Sequence, residues 1–225
     1  LWVVAGDVTW QVSTKTGFIM DWATEGRALL DAPMADCFVR APLDNDICSS
    51  EVDNPSPEAW LAKWQAAGLF DLEHRCTGAE VKGATVISQH EYLNDAGVAI
   101  RSVWRHTFDA EGGVDIAIEV SVDPEMPPLP RVGMRLLLCD KPEAVYWLGR
   151  GPHENYPDRK LSADLGAWSC DRHAMQTPYI FPSDNGLRCD VRRAVIGSVC
   201  IERIDDDFAF AVSDFGVESL MRAQH

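Results

Sequence analysis

The chain has 225 residues, 46% hydrophobic and 24% charged, the composition of an ordinary folded protein, which excludes a disordered tract. Its 20 Lys and Arg stand against 35 Asp and Glu, a formal charge of −15. That field repels phosphate backbones and anionic lipid, so nucleic acid and membrane surfaces are excluded as partners.

No apolar run approaches the roughly 20 residues that cross a bilayer, and no basic-then-apolar signal leads the sequence. Cys37, Cys48, Cys76, Cys139, Cys170, Cys189 and Cys200 are odd in number and show no CxxC-type spacing. They are expected to be reduced thiols in a cytoplasmic protein. The sequence opens on Leu1 rather than Met and ends at residues 221–225 without a terminating turn, which reads as a segment of a longer polypeptide. A chain of this length removes roughly 70–75% of its unfolded surface from water, so its core needs no staple.

In chain order, strands are expected over residues 8–12 and 18–22, joined by a turn at residues 14–17. Ser56 as cap and Pro57 as first residue predict a helix over 57–67 that Gly68 closes. Its Trp60, Leu61, Trp64 and Ala67 form an apolar stripe, either docking the helix onto a sheet or offering a ligand platform. Strands follow over 85–92 and 98–108. Val114, Ile116, Ile118, Val120 and Val122 then alternate with polar residues, the period of a half-buried strand. Asp109-Ala110-Glu111-Gly112-Gly113 joins these last two as an antiparallel hairpin. Further strands are expected over 131–139, 144–148, 189–196, 199–203 and 208–214, with turns at 94–97 and 214–216. Residues 147–160 show neither period and read as a shaped loop. The fold class is all-β, a large antiparallel sandwich with one short helix, in a single domain over 1–225.

Glycoside hydrolysis needs two carboxylates about 5–9.5 Å apart. Glu154 and Asp158 are a tempting pair, but the compact turn between them favours bracing the loop. Asp44-Asn45-Asp46 resembles an oxygen cluster for a hard cation, yet lacks the Gly and distal Glu of a calcium loop, so bracing is preferred there too. His74, His90, His106, His153, His173 and His225 form no HxH or HExxH pattern, and no GxSxG elbow supports a serine nucleophile. His90 and His106 lie in strand segments and are read as structural. Of eight tryptophans, most are assigned to the core, while Trp147 and Trp168 bracket the irregular loop and are the first to test for sugar stacking.

Several motifs together resemble the C-terminal part of the large multidomain bacterial β-galactosidases. They are Gly17-Phe18; Arg40-Ala41-Pro42-Leu43-Asp44-Asn45-Asp46-Ile47; Ala59-Trp60 with Trp64-Gln65-Ala66-Ala67-Gly68; residues 147–159; and Thr177-Pro178-Tyr179-Ile180-Phe181-Pro182-Ser183-Asp184-Asn185-Gly186-Leu187-Arg188-Cys189.

The resemblance implies the last domain of such an enzyme, a supersandwich of the galactose-mutarotase type, here lacking its final strands. Some family members carry it as a separate small subunit. It implies hydrolysis of terminal β-galactosides by the full-length protein, whose two catalytic glutamates lie on an upstream barrel; no catalytic residue is carried over to this chain. A sugar-stacking Trp of the family is expected beyond His225. The mobile loop after Asp46 implies Cys48, Ser50 and Glu51 as substrate contacts; relatives typically have Gly where this chain has Cys48. Phe181, Pro182 and Leu220 match positions whose carbonyls bind sodium in relatives, and magnesium is implied for the full-length enzyme. The implied partners are the upstream domains, a galactoside through the complete enzyme, and further copies of the full chain. Two other functions stay open: a stand-alone carbohydrate-binding module, and an aldose epimerase on the same fold.

Overall fold

The computed structural model describes residues 1–49 and 54–223, which group into two compact units. Unit 1 comprises the described residues of Leu1–Arg40 and Asp44–Cys139; unit 2 comprises Ala41–Leu43 and the described residues from Asp140 onward. All strand pairs in both are antiparallel.

Unit 1 begins with a four-stranded sheet of β1 (Trp2–Ala5), β2 (Val8–Val12), β3 (Ile19–Thr24) and β4 (Arg27–Ala28). β5 (Leu30–Cys37) pairs with β10 (Gly133–Leu138) through two register shifts. The other sheet runs β6 (Glu73–Lys82), β7 (Thr85–Asn94), β8 (Gly97–Phe108) and β9 (Val114–Val122) in order. Period-two alternation does the work in β8: Ile100, Ser102, Trp104, His106 and Phe108 point inward, while Arg101 and Thr107 are exposed. The core brings Trp10, Val12, Ile19, Leu30 and Met34 against Val86, Trp104 and Phe108. Two antiparallel layers thus face each other across one apolar interior, the sandwich arrangement. The hairpin turn forms as expected, with Asp109 Oδ1 accepting from the Glu111 and Gly113 amides at 3.0 and 2.6 Å.

Between the sheets' strands lie α1 (Asp44–Ile47) and α2 (Trp60–Ala66). α2 starts three residues later than the sequence predicts. The Ser56 carbonyl accepts from the Ala59 amide, so a turn occupies residues 56–59, and Ala59 is the cap with no side-chain bond. Gly68, at φ +67, ends the helix as expected. Leu61 and Trp64 are buried, with Trp64 Nε1 donating to the Pro128 carbonyl at 2.9 Å. Trp60 does not join them: it is 41% exposed, with the Lys63 ammonium 4.7 Å from its ring centroid.

Unit 2 holds a sheet of β11 (Ala144–Gly151), β12 (Asp164–Asp171), β14 (Arg193–Ile196) and β15 (Val199–Glu202), with β11 central between β12 and β14. β13 (Arg188–Val191) pairs with β16 (Phe208–Phe210), and α3 (Val217–Arg222) follows. Here a sequence expectation fails. Residues 147–151 are not loop but the second half of β11, in unbroken register with β12 from Ala144 opposite Asp171 to Gly151 opposite Asp164. Their glycines mark close approach rather than a turn. A Cβ on Gly149 would sit 2.8 Å from the Val191 Cα, and one on Gly151 2.8 Å from both the Trp147 and Trp168 rings. The irregular loop starts only at Pro152.

Candidate functional site

Cys48, the described member of the expected sugar contacts, belongs to unit 1, as do Arg40 and Asp46. Arg40 Nη2 donates to both oxygens of Asp46 at 2.9 Å, and Asp46 and Ile47 are buried. Asp46 therefore braces the Arg40–Asp46 turn through a charge-assisted contact with Arg40, stronger than a bond between neutral groups. The Arg40 Nε is buried with no hydrogen-bond partner among the described residues. Cys48 follows at φ +51, a left-handed conformation that a Cβ disfavours. Its Sγ donates to the Asn45 carbonyl at 3.2 Å and its amide to the Asp44 carbonyl at 2.9 Å. Ser49 Oγ donates to the Asn54 carbonyl at 2.9 Å. Ser50 and Glu51 lie outside the described residues.

In unit 2 the loop after Pro152 is tied to residues 176–190 by buried polar groups. Glu154 accepts from the Gly186 amide at 2.8 Å, from Arg159 Nη2 at 2.6 Å and from the Tyr179 hydroxyl. Burial pushes its carboxyl up, but these donors outweigh burial and hold it below the usual carboxylate range. Asp158 is exposed. One acid saturated by donors and one in solvent do not form a hydrolytic pair; Glu154 braces the loop as expected, while Asp158 lies in solvent. Asn155 is fully buried: its Oδ1 accepts from the Cys189 amide at 3.0 Å and its Nδ2 donates to the His153 carbonyl at 3.1 Å.

Arg188 is the residue the sequence reading missed. It is 2% exposed and donates to the Pro152, Gly186 and Met175 carbonyls at 3.1, 2.9 and 3.4 Å. Its guanidinium lies 5.3 Å from the Trp147 ring centroid, and burial lowers its pKa from the ordinary arginine value. Trp147 is 3% exposed beneath it, and Trp168 donates to the Gly149 carbonyl at 3.1 Å. Trp147 is thus a core residue; its place beside the irregular loop came from the strand half the sequence reading took for loop.

Pro182 and Leu220 come together on the rim of an open depression of about 310 Å³, with Thr177, Tyr179, Asn185 and Phe215; Phe181 does not line it. Carbonyl and amide oxygens are the donor class a hard cation takes. Asn185 Oδ1 already accepts from the Thr177 amide at 3.0 Å, and the Leu220 carbonyl accepts from the Ala223 amide at 3.3 Å. Among the described residues no group of three or more His, Cys, Asp or Glu side chains is arranged to hold a metal. No helix among them is long and apolar enough to cross a membrane.

A family model described as beta galactosidase small chain matches residues 4–225. The chain belongs to that family. A beta-galactosidase of Aeromonas hydrophila is 46% identical over 223 residues, which cover 96% of this chain and 21% of that relative. Beta-galactosidases of Klebsiella pneumoniae and Vibrio cholerae are 40% and 38% identical, over 98% and 99% of this chain and 22% of each relative. The chain therefore spans about a fifth of the length of the curated relatives it matches. The span matched by the small-chain family takes in both units, the Arg40–Asp46 turn and the loop braced by Glu154 and Arg188.

Proposed function

We propose that this chain is the C-terminal, non-catalytic part of a retaining β-galactosidase, which hydrolyses terminal β-galactosides when complete. The observation that carries this reading is the use to which its buried carboxylates are put. Asp46 is held by Arg40, Glu154 by Gly186, Arg159 and Tyr179, and Asp184 faces the Tyr156 hydroxyl at 3.4 Å. Groups committed to shaping loops are poor acids and nucleophiles, because protonation or attack would first break the contacts that place them. In this reading the upstream domains supply the chemistry. The turn at Cys48, with Ser50 and Glu51 beyond it, borders the bound galactoside.

The same reading gives the depression beside Pro182 and Leu220 a sodium ion held by carbonyls, with Phe181 adjoining, and assigns magnesium to residues outside this chain. The complete protein acts as an oligomer in the cytoplasm; seven free cysteines support that compartment. The test is deletion. A full-length protein lacking this region should lose galactosidase turnover while its remaining domains stay folded. Undiminished turnover would contradict the role.

A further inference from the structure

β6, β7 and β8 each turn one histidine toward the interior of unit 1: His74, His90 and His106. His74 Nε2 lies 3.0 Å from His90 Nδ1, and His90 Nε2 lies 2.8 Å from Ser88 Oγ. Phe18 stacks on His90 at 4.3 Å and 8°, and on His74 at 5.1 Å. Trp104 stands between His90 and His106, its ring centroid 6.5 and 5.3 Å from theirs. His90 and His106 are buried, and neither nitrogen of His106 makes a well-formed hydrogen bond among the described residues, the backbone of Val86 being its nearest polar support.

This arrangement resists full protonation: the His74–His90 pair holds at most one added proton without losing its hydrogen bond. The His74–His90 hydrogen bond needs one ring to accept, and two imidazoliums would aim N–H groups at each other across 3.0 Å. An imidazolium at His106 would carry two buried donors with only the backbone of Val86 to offset their desolvation, and burial outweighs that contact. The His90 ring packs closely on the chain at Gly17, where a Cβ would sit 2.7 Å from His90 Cε1.

The charged and titratable groups around the array come from both layers. Asp36 on β5 accepts from Tyr92 Oη, Ser102 Oγ and Trp104 Nε1 at 2.8, 2.5 and 2.9 Å, and it favours the charged form of His74. Burial raises its own carboxyl, so acid removes that counter-charge early. Arg135 on β10 acts on Tyr92, and Cys76 on β6 faces Gly17. Burial pushes His90 and His106 down to about 4 and lowers His74. A folded value below the ordinary 6.5 means the array's stabilisation is fully present above about pH 6.5 and is lost as pH falls toward 4.

We propose that these three histidines form an acid-sensitive latch, so that the two layers of unit 1 stay closed while the rings are neutral and part as the rings take up protons together. The inference is independent of the galactosidase reading. The test is an acid titration of the 225-residue chain, following imidazole nuclear magnetic resonance signals and the packing of Trp104. His74, His90 and His106 should gain their protons in the same step in which Trp104 loses its packed environment. His106→Phe keeps an aromatic ring beside Trp104; it should lower the midpoint by roughly half a pH unit or more and the uptake by one proton. His153→Ala, at an exposed position in unit 2, should change neither. Rings that protonate while Trp104 stays packed would overturn the proposal. So would a folded His106→Phe chain with an unchanged midpoint and proton uptake. If His106→Phe does not fold, the wild-type co-titration decides alone.

Discussion

Replacing Gly17 by Ala tests how tightly unit 1 is packed around its histidines. Gly17 sits at φ +77, and the added Cβ would lie 2.7 Å from His90 Cε1, 2.8 Å from Ser88 Cβ and 3.0 Å from Cys76 Sγ. The left-handed backbone costs an L-residue about 1–2 kcal/mol, offset in part by about 0.4–1 kcal/mol from a less free unfolded chain. Displacing well-packed side chains adds about 1–3 kcal/mol. Gly6, at φ +56 with nothing within 4 Å of its Cβ position, carries the same two backbone effects without the crowding. Urea unfolding of Gly17→Ala and Gly6→Ala, followed by tryptophan fluorescence, should therefore differ by about 1–3 kcal/mol, with Gly17→Ala the less stable. A difference below about 0.5 kcal/mol would show that the array yields to an extra methyl and would refute the packing argument.

Glu154→Gln should destabilise unit 2 by about 1.5–3 kcal/mol at neutral pH, the usual loss for charge-assisted hydrogen bonds. Because the folded Glu154 carboxyl lies below the ordinary 4.5, its stabilisation is present above that value and lost as pH falls through the folded one. The variant's denaturant midpoint should accordingly change less with pH in that window, and an equal slope would count against the bracing role. Arg188→Lys should cost about 2–4 kcal/mol in unit 2, since an ammonium cannot span three carbonyls and the Trp147 face; thermal unfolding within about a degree of wild type would refute this. Cys48→Gly relieves left-handed strain while freeing the unfolded chain, so stability should move by no more than about 1 kcal/mol. A larger change in calorimetry would mean that the Cys48 side chain itself packs.

Where the apolar period was clean, strand bounds were legible: β2 and β9 begin and end at the residues the alternation picks out. β5 escaped because Pro33 sits inside it, tolerated where the ladder with β10 shifts register. β6 and β12 escaped because each lies at the edge of its sheet and its sequence is too polar or too small to print a period. The glycines of β11 misled for a related reason: the local signal of a turn and that of close packing are the same residue, and only the neighbours Val191, Trp147 and Trp168 distinguish them. α2 was found but its start was not, because the preceding turn uses Ser56 through its carbonyl rather than its hydroxyl.

Motif resemblance located the family, and the bracing roles of the Asp46 and Glu154 loops were readable from local composition. The partners were not. Asp36 meets donors on Tyr92, Ser102 and Trp104, and Arg188 meets the Pro152 carbonyl. These residues lie tens of positions apart, and the pairing follows from sheet register, which no local window contains. Cys48 is the exception: its left-handed φ was foreshadowed by a Cys standing where the resembled family typically has Gly.

The most direct test of the whole account is turnover by the isolated chain on a chromogenic nitrophenyl β-galactoside. None is expected, because among the described residues the buried Asp46, Glu154 and Asp184 are engaged in holding loops. Hydrolysis that persists through purification and disappears on substituting Glu154, with the fold intact, would contradict it.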